Sequence, residues 1–428
     1  MHPERFSTFW MITIAINIIL DLYVLYNWQK FVKRRRYSSW LYKSLWITGA
    51  VILIASIVSR LTTLETTNPA IGYVVMLISY LWYLPKILIV IALLVKDIAR
   101  LLIFLVGKTV DFISKKTVNK QNAIISSELP IDTNSSEAVE LVPRRDFLQK
   151  VAWAAAGTPF IAAANGMFST AFDFETYSHY LPINGLPRQF EGLRIVQISD
   201  IHSGSFGSTK PMQEVRRIIQ DLHPDIILIT GDYVNFNPKE LASTFPDLSK
   251  LSAPLGVFGS MGNHDHYMTH DEHEVLKKGI RDAGIQLLIN SNTVIHVDGG
   301  ALNIAAIDNV GLGQKFGRID EALQGLNASN PTILMAHDPT FWDKHVRGQL
   351  PIDVMLSGHT HGGQVGVHIM GEDLSFARMV YKQWAGMYYD RDQILYVNRG
   401  IGMVGPPIRL AIEPEITLFT LTSPDNKG

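Results

Sequence analysis

Long apolar runs fill the first hundred residues of the chain and give way to much shorter apolar runs beyond them. Three long runs, at about residues 6–28, 42–61 and 71–95, carry few charges and reach the roughly 20 residues that a membrane-spanning helix needs. A following segment, 98–116, has apolar and basic positions at helical spacing, which predicts an amphipathic helix on the membrane surface. We expect a membrane region over 1–120, with buried core helices as the alternative.

Charged residues between the apolar runs predict how this region is oriented. The loop at 30–43 has six basic residues and no acidic one, whereas the loop at 60–70 has one of each sign. Basic residues are again in excess over 96–120. Because basic loops stay in the cytoplasm, we expect the N-terminus outside, 30–43 inside, 60–70 outside and 96–145 inside.

Two segments follow before the character of the chain changes. Residues 121–143 lack a sustained apolar period and are rich in Ser, Asn and acidic residues, which predicts a flexible linker. The segment 144–170 begins with Arg144-Arg145 and turns alanine-rich, so it resembles a twin-arginine export signal, with an ordinary fourth span as the alternative. Both interpretations place the rest of the chain outside the cytoplasm.

Short apolar runs and amphipathic stretches alternate over 178–428, which predicts an α/β catalytic domain with buried sheets. The amphipathic stretches "KPMQEVRRIIQDL" and "DEHEVLKKGIRDAG" have the period of helices. The runs of strand length are "LRIVQIS", "DIILIT", "PLGVFGSM", "LNIAAI", "TILMA", "DVMLS", "ILYVN" and "EITLFTL".

Five of the predicted strands end in polar residues of the kinds that bind metals. Residues two apart on a strand face the same way, so the two ligands of an Asp-x-His or His-x-His pair can converge on one point. Such a mixture of Asp, Asn and His suits two metal ions that share a carboxylate, an arrangement fitted to phosphoester hydrolysis. In chain order the residues are Asp200, His202, Asp232, Asn263, His264, Asp265, His337, His359 and His361.

Composition narrows this chemistry further. The 428 residues include no cysteine, so disulfides and thiolate sites are excluded and any metal must bind nitrogen and oxygen. The net charge of −1 gives no indication of a nucleic-acid partner. The expected partners are therefore the membrane and a phosphoester substrate, with lipid-linked phosphates among the candidates.

The ordered blocks Asp-x-His, Gly-Asp, Gly-Asn-His-Asp, a later His and Gly-His-x-His resemble the calcineurin-like metallophosphoesterase superfamily over about residues 190–422. The stretches "GHTHGGQ", "VNRGIGMVGPPIRL" and "PEITLFTL" are similar to its branch of YaeI- and YkuE-type phosphodiesterases and transmembrane proteins with a metallophosphoesterase domain. The resemblance implies an α/β fold, a calcineurin-like sandwich of two β-sheets flanked by helices, preceded here by an α-helical multi-span membrane region.

The resemblance also implies a role for each residue at the strand ends. A hydroxide held between two divalent metals attacks phosphorus, while His264 stabilises the phosphate or protonates the leaving oxygen and Asp265 orients His264. Mn²⁺ is the first expectation, with Fe, Zn, Ni or Mg as alternatives. The first metal takes Asp200, His202, Asp232 and His361, and the second takes Asp232, Asn263, His337 and His359, with Asp232 bridging.

Several polar residues near these blocks have two interpretations each. Asp308 and Asn309 either line the substrate pocket or form a turn, and Arg399 and Arg409 either hold an anionic substrate group or make structural ion pairs. The histidines of "HDHYMTHDEH" beyond His264 either reach the substrate or, as we favour, open a solvated helix. These are His266, His270 and His273.

Three functions are consistent with these patterns. The first is a membrane-anchored phosphoesterase, most simply a phosphodiesterase, acting outside the cytoplasm. The second is a pyrophosphatase for lipid-linked nucleotides of the UDP-2,3-diacylglucosamine type in lipid A synthesis, whose cytoplasmic reaction conflicts with the expected topology. The third is a non-catalytic, metal-stabilised module of a membrane complex, which would have no need of the His264-Asp265 pair.

Overall fold

The computed structural model describes residues 3–62, 68–118, 144–370 and 372–424. The chain forms two compact units, one made of 9–57 and 81–163 and the other of 164–428 with the short segments 1–8 and 58–80. The predicted linker at 121–143 lies outside the described residues.

Three long helices form the N-terminal part: α1 (Pro3–Arg34), α2 (Trp40–Leu61) and α3 (Pro69–Val118). Within the described part of the chain, two helices are long and apolar enough to cross a membrane, Trp10–Arg34 and Trp40–Leu61. Only 22% of the apolar stretch of the first helix and 11% of that of the second is buried, which argues against core helices of a soluble domain.

The third predicted span and the predicted amphipathic segment are not separate elements. Both lie in α3, whose 50 residues continue through Pro85. The sequence pattern suggested a break because proline removes a backbone donor inside a helix. Lys86, the next residue, is buried and pairs with the Asp21 carboxylate of α1, which also accepts a hydrogen bond from Trp82 Nε1 at 3.2 Å. This pairing satisfies two charges inside apolar segments, where an unpaired charge is costly.

The segment 144–170 folds as two short helices, α4 (Arg144–Ala155) and α5 (Thr158–Phe168). They have 12 and 11 residues, and each is shorter than the roughly 20 residues of a single straight span. Whether this segment acts as a twin-arginine signal or as a fourth span stays a prediction.

The C-terminal domain is of the mixed α/β class and contains two six-stranded sheets. The first runs in the order β1 (Glu175–Pro182), β14 (Glu415–Thr422), β2 (Arg194–Ile198), β3 (Ile226–Thr230), β4 (Val257–Ser260) and β5 (Gln286–Leu287). The second runs β12 (Gly386–Asp390), β13 (Gln393–Val397), β9 (Val354–Ser357), β8 (Thr332–Met335), β7 (Gly300–Ala306) and β6 (Ser291–Val297). A hairpin of β10 (Gly366–Ile369) and β11 (Glu372–Ser375) stands apart from both.

Helices occupy the connections between the strands. The α-helices are α6 (Lys210–Asp221), α7 (Phe245–Leu248), α8 (His270–Asp282), α9 (Ile319–Leu323) and α10 (Ala377–Val380). Short 3₁₀ turns lie at Thr170–Phe172, Arg188–Phe190, Ser203–Ser205, Pro238–Ser243, His264–His266 and His361–Gly363, and a π-helical turn lies at Trp342–Val346.

The two sheets pack face to face around a shared apolar core. Ile195 and Leu228 of the first sheet and Ile304 and Met335 of the second are fully buried in this shared layer. The outer faces are covered by the amphipathic helices, with α6 and α8 packing on the first sheet. The predicted two-sheet sandwich flanked by helices is thus the observed arrangement of the described domain.

Parallel pairing sets where the predicted ligands emerge. β2, β3 and β4 are parallel neighbours in the first sheet, and β8 and β9 are parallel neighbours in the second. The carboxyl ends of parallel strands lie at one edge of a sheet, which is where α/β folds bind ligands. The polar residues that follow these five strands are therefore brought together.

Candidate metal centre

The loops that carry the candidate ligands hold an unusual backbone conformation. Five of these residues have positive φ: Asp200 at 50°, His202 at 42°, Asp232 at 56°, His359 at 76° and His361 at 51°. Non-glycine residues adopt this left-handed region at a cost of about 1–3 kcal/mol each, and such strain concentrates at functional sites. The left-handed backbone conformation directs each side chain away from its strand and toward a common point.

Two glycines make room for the carboxylates. A Cβ atom on Gly358 would lie 2.2 Å from Oδ2 of Asp200, and one on Gly262 would lie 2.2 Å from Oδ1 of Asp232. No side chain can occupy such a distance, so both positions require glycine for close approach rather than for φ.

Asp200, His202 and His361 form the first group of side chains able to hold a metal ion, and all three are buried. Nε2 of His361 lies 3.3 Å from Oδ1 of Asp200 and 3.1 Å from Nε2 of His202. Two neutral imidazole nitrogens facing each other at this distance are well suited to share a cation.

Asp232, His337 and His359 form the second group, with Asn263 beside them, and Asp232 also lies with His202 and His264 in a third. Oδ2 of Asp232 lies 3.0 Å from Nε2 of His337 and 3.5 Å from Nε2 of His202. The Asp232 carboxylate therefore stands between the two groups. Oδ1 of Asn263 lies 2.7 Å from Nδ1 of His359.

The hydrogen bonds of these histidines fit metal binding. Nδ1 of His337 donates to the Thr230 carbonyl at 2.7 Å, which leaves Nε2 unprotonated and directed at Asp232 in the neutral tautomer. Nε2 of His337 and Nδ1 of both His202 and His361 are buried without a hydrogen-bond partner. Because buried polar atoms are normally paired, and nitrogen and oxygen donors converge here, the residues fit a divalent cation.

Electrostatics in the metal-free chain point the same way. Burial would raise the pKa of Asp232, but the charge of His337 and its hydrogen bond to the carboxylate instead lower it well below its usual value. Burial would lower the pKa of His337, yet the charges of Asp232 and Asp200 raise it to about 10. A proton on His337 thus offsets carboxylate charge that a cation would otherwise neutralise.

The pKa values of His202, His359 and His361 are all lowered, which favours their neutral form. Burial lowers the pKa of His202 well below its usual value, against the opposing effect of the Asp232 and Asp200 carboxylates. Burial, together with the Arg409 charge, does the same to the pKa of His361. Burial also lowers the pKa of His359. Neutral imidazole is the form that binds metals.

His264 and Asp265 do not make the contact that the sequence analysis expects. Nδ1 of His264 donates to the Asn235 carbonyl at 2.8 Å, so a carbonyl and not the Asp265 carboxylate orients the imidazole. Asp265 is buried and accepts the backbone N–H groups of Asp232, Tyr233 and Gly262 at 2.8–2.9 Å. The expected role of Asp265 is corrected to that of a brace for the loop that presents Asp232.

The same burial changes the acidity of Asp265. Burial and the nearby Asp232 charge raise its pKa to about 7, although the Gly262 N–H opposes this. The charged form of Asp265 holds the backbone N–H groups more strongly than the neutral form does, because hydrogen bonds to an anion are stronger.

The residues considered for substrate contact lie close to the ligands. Oδ1 of Asp308 lies 2.7 Å from Nε2 of His266, whose ring stacks on Phe316. Nδ2 of Asn309 donates to the Gly311 carbonyl and to Gln314, as expected of a turn. His266 is thus a packed residue rather than a solvated one, while His270 begins α8 in an exposed position.

Nδ1 of His273 donates to the Asp265 carbonyl at 2.8 Å.

Arg399 and Arg409 both bind groups of the protein itself. Arg399 pairs with Glu415 at 2.9 Å and with Asp373 at 3.3 Å. Arg409 is fully buried and donates to the Arg399 and Gly400 carbonyls at 2.9 and 3.0 Å. These contacts favour the structural alternative for both, and a substrate contact by Arg399 stays a prediction.

Two tyrosines near the ligands were missed by the sequence analysis. The Tyr267 hydroxyl accepts a hydrogen bond from Nδ2 of Asn263 at 3.0 Å, and the Tyr381 hydroxyl lies 3.0 Å from Nε2 of His359. Tyr267 follows His264 by three residues, so its position beside the block was a usable signal. Tyr381 lies in no block and had none.

Comparison with known proteins agrees with this geometry. A family model described as "Probable Calcineurin-like phosphoesterase, transmembrane domain" matches residues 5–171, and one described as "Calcineurin-like phosphoesterase" matches residues 193–363. The chain is thus a membrane protein with a phosphoesterase domain.

Individual relatives cover much of the chain. The uncharacterized metallophosphoesterase YkuE of Bacillus subtilis is 33% identical over 291 residues, which cover 65% of this chain and 98% of that protein. The phosphodiesterase YaeI of Escherichia coli is 30% identical over 290 residues, 66% of this chain and 100% of that protein. A Danio rerio transmembrane protein with metallophosphoesterase domain is 28% identical over 275 residues, 61% of this chain and 60% of that protein. The chain therefore belongs to the calcineurin-like metallophosphoesterases and is a metal-dependent phosphoesterase.

Proposed function

We propose that this membrane protein is a phosphodiesterase with two metal ions, acting on a phosphoester carried by a lipid or another envelope component outside the cytoplasm. One observation carries the proposal: the Asp232 carboxylate stands between His202 at 3.5 Å and His337 at 3.0 Å, one from each ligand group. A shared carboxylate is what joins two ions into a pair.

The ligand roles follow from the two groups. Asp200, His202 and His361 would hold one ion, His337, His359 and Asn263 would hold the other, and Asp232 would contribute to both. Divalent ions bound there supply Lewis-acid polarisation of phosphoryl oxygens and lower the pKa of water. Mn²⁺ is our first expectation because the ligands are nitrogen and oxygen only.

His264 supplies the proton. Because its Nδ1 donates to the Asn235 carbonyl, the exchangeable proton of the imidazolium is on Nε2. His264 is partly exposed and its ring lies edge-on to His202, with centroids 4.7 Å apart, so it stands at the mouth of the centre. It protonates the leaving oxygen of the ester, as a positioned histidine does in general acid catalysis.

The choice of a diester rests on the relatives and on the anchor. YaeI carries the name phosphodiesterase, and the apolar helices of this chain keep its substrate search at a membrane. A near-neutral net charge supports no nucleic-acid substrate.

The test uses the full chain in detergent, stripped of metal by chelation and dialysis and reloaded with Mn²⁺. We expect hydrolysis of bis(4-nitrophenyl) phosphate only after reloading, and faster than that of 4-nitrophenyl phosphate or a nucleotide pyrophosphate. Asp232→Asn should abolish turnover and lower metal content at both sites, whereas Asp320→Asn, an exposed acid on α9, should change neither. Full turnover in the chelated protein would overturn the proposal, and a preference for the pyrophosphate would replace the diester.

A further inference from the structure

The hairpin β10–β11 and helix α10 expose an apolar surface next to the metal centre. Six side chains form what we call the apolar face, and each is between 39% and 82% exposed. A monomeric soluble domain seldom exposes so many large apolar side chains together. The members are Val367, Ile369, Leu374, Phe376, Met379 and Val380.

The polar side of β11 faces the domain, whereas β10 is exposed on both sides. Val367 pairs across the strands with Leu374, while His368 pairs with Asp373 on the opposite side. Asp373 reaches Arg399 at 3.3 Å, and Arg399 in turn pairs with the fully buried Glu415 at 2.9 Å. A hairpin on a water-soluble domain normally buries its apolar side and exposes its polar side. Here Val367, Ile369 and Leu374 are exposed, and the ion pair of Asp373 with Arg399 fixes β11 with Leu374 outward.

Further contacts fix the segment in this orientation. The Ser375 hydroxyl donates to the Gly362 carbonyl in the loop of His361. Ala377 is buried, so α10 packs by one small residue and leaves Met379 and Val380 outside. The apolar face is therefore a built feature of the fold.

We propose that the apolar face docks into a lipid bilayer that contains anionic headgroups. Arg378 and Lys382 are exposed beside the face, Lys382 lies 3.3 Å from Asp343, and no acidic residue stands between Leu374 and Tyr389, although Glu372 and Asp373 precede Leu374. Apolar side chains that enter the acyl boundary, flanked by basic residues at headgroup level, are the pattern of interfacial membrane binding. The chain also carries apolar helices long enough to cross a membrane, so a bilayer is always within reach.

Docking brings the metal centre to the headgroups. Tyr381 follows the apolar face directly, and its hydroxyl lies 3.0 Å from Nε2 of His359. A phosphoester in the headgroup layer of the same bilayer is then the substrate class, a consequence that rests on the proposed phosphodiesterase function.

The chain has no cysteine, so a single introduced cysteine can carry a fluorophore without altering any native thiol. We choose Met379→Cys, with Val275→Cys as the matched control because Val275 is an exposed apolar residue on α8. The full chain is placed in nanodiscs of phosphatidylglycerol and phosphatidylcholine. Quenching by nitroxide-labelled acyl chains is compared with quenching by aqueous iodide.

We expect the label at Met379 to be quenched by the acyl nitroxide roughly threefold more than the label at Val275, and less by iodide. The effect should weaken in pure phosphatidylcholine. Equal iodide quenching at both positions would overturn the proposal. Protection of Met379 from both quenchers would also overturn it, because a protein would then cover the face. The measurement needs neither metal nor substrate, so failed hydrolysis would remove the proposed function and leave docking intact.

Discussion

The Asp265 carboxylate accepts the backbone N–H of Asp232 at 2.9 Å, while its chain neighbour His264 is held by the Asn235 carbonyl at 2.8 Å. The two residues of the His-Asp pair therefore act through different partners. Asp265 stabilises the left-handed backbone of Asp232, whereas the backbone N–H of His264 donates to Oδ1 of Asp232 at 2.8 Å and its imidazole is held by Asn235.

Asp265→Ala should consequently lower metal content and stability rather than alter the pH profile of turnover. The variant leaves the buried N–H groups of Asp232, Tyr233, Val234 and Gly262 without this acceptor, each worth about 1–3 kcal/mol. Metal analysis and thermal unfolding of the full chain test this. A stable, metal-replete Asp265→Ala protein whose rate profile alone had moved would instead restore the orienting role.

The His264→Ala protein should keep its metal ions but turn over substrate more slowly. Loss of a positioned proton donor costs about 10²–10⁴ in turnover. His270→Ala is the control, since His270 is exposed at the start of α8. A substrate whose leaving group is already a good anion, such as 4-nitrophenolate, should suffer least. If His264→Ala emptied a site in metal analysis, the residue would have to be counted among the ligands.

Metal binding should release a proton from His337. The carboxylates of Asp232 and Asp200 raise its pKa to about 10 against the effect of burial, so the metal-free protein is protonated there at pH 7. A ligand nitrogen must lose that proton, and below the raised pKa affinity should rise by about tenfold per pH unit for each proton released. Calorimetry in buffers of different ionisation enthalpy measures the release. His337→Gln should release about one proton fewer, and an identical proton count in both proteins would contradict this.

Sidedness can be tested with a reporter fused after residue 428. The basic residues at 30–43 and 96–120 and the pair Arg144-Arg145 predict an extracytoplasmic domain, so the reporter should behave as exported in a bacterial host. Changing both arginines to lysine keeps the charge and should reduce export if the segment is a twin-arginine signal. Unchanged export would favour an ordinary span, and a cytoplasmic reporter would refute the topology.

The candidate site was predictable because its signals are local. Each ligand follows an apolar strand of four or five residues, and parallel pairing brings strand ends together without further information. Several other strands were not predicted, and β1 and β6 show why. β1 alternates weakly and is largely exposed, and β6 is only partly buried, so neither presents a continuous apolar run. β1 also begins at Glu175, three residues before the expected domain start.

Contacts between distant residues could not be predicted. The Tyr381 hydroxyl approaches a histidine 22 residues earlier, and no spacing rule leads from one to the other. The same is true of Asn235, whose backbone carbonyl carries no sequence information yet orients His264. The continuity of α3 through Pro85 was likewise hidden, because buried Lys86 finds its partner on another helix.

That pairing has a consequence for biogenesis. Lys86 is synthesised 65 residues after Asp21, and ribosomes add about 5–20 residues per second, so the acid waits for roughly 3–13 s. During this delay α1 carries a lone carboxyl in an apolar stretch, at a cost of about 2.5–3.5 kcal/mol if it is charged at mid-membrane. The first helix should therefore remain loosely held by the insertion machinery until the third arrives. Nascent chains truncated before Lys86 should be extracted from the membrane more readily than chains that include it.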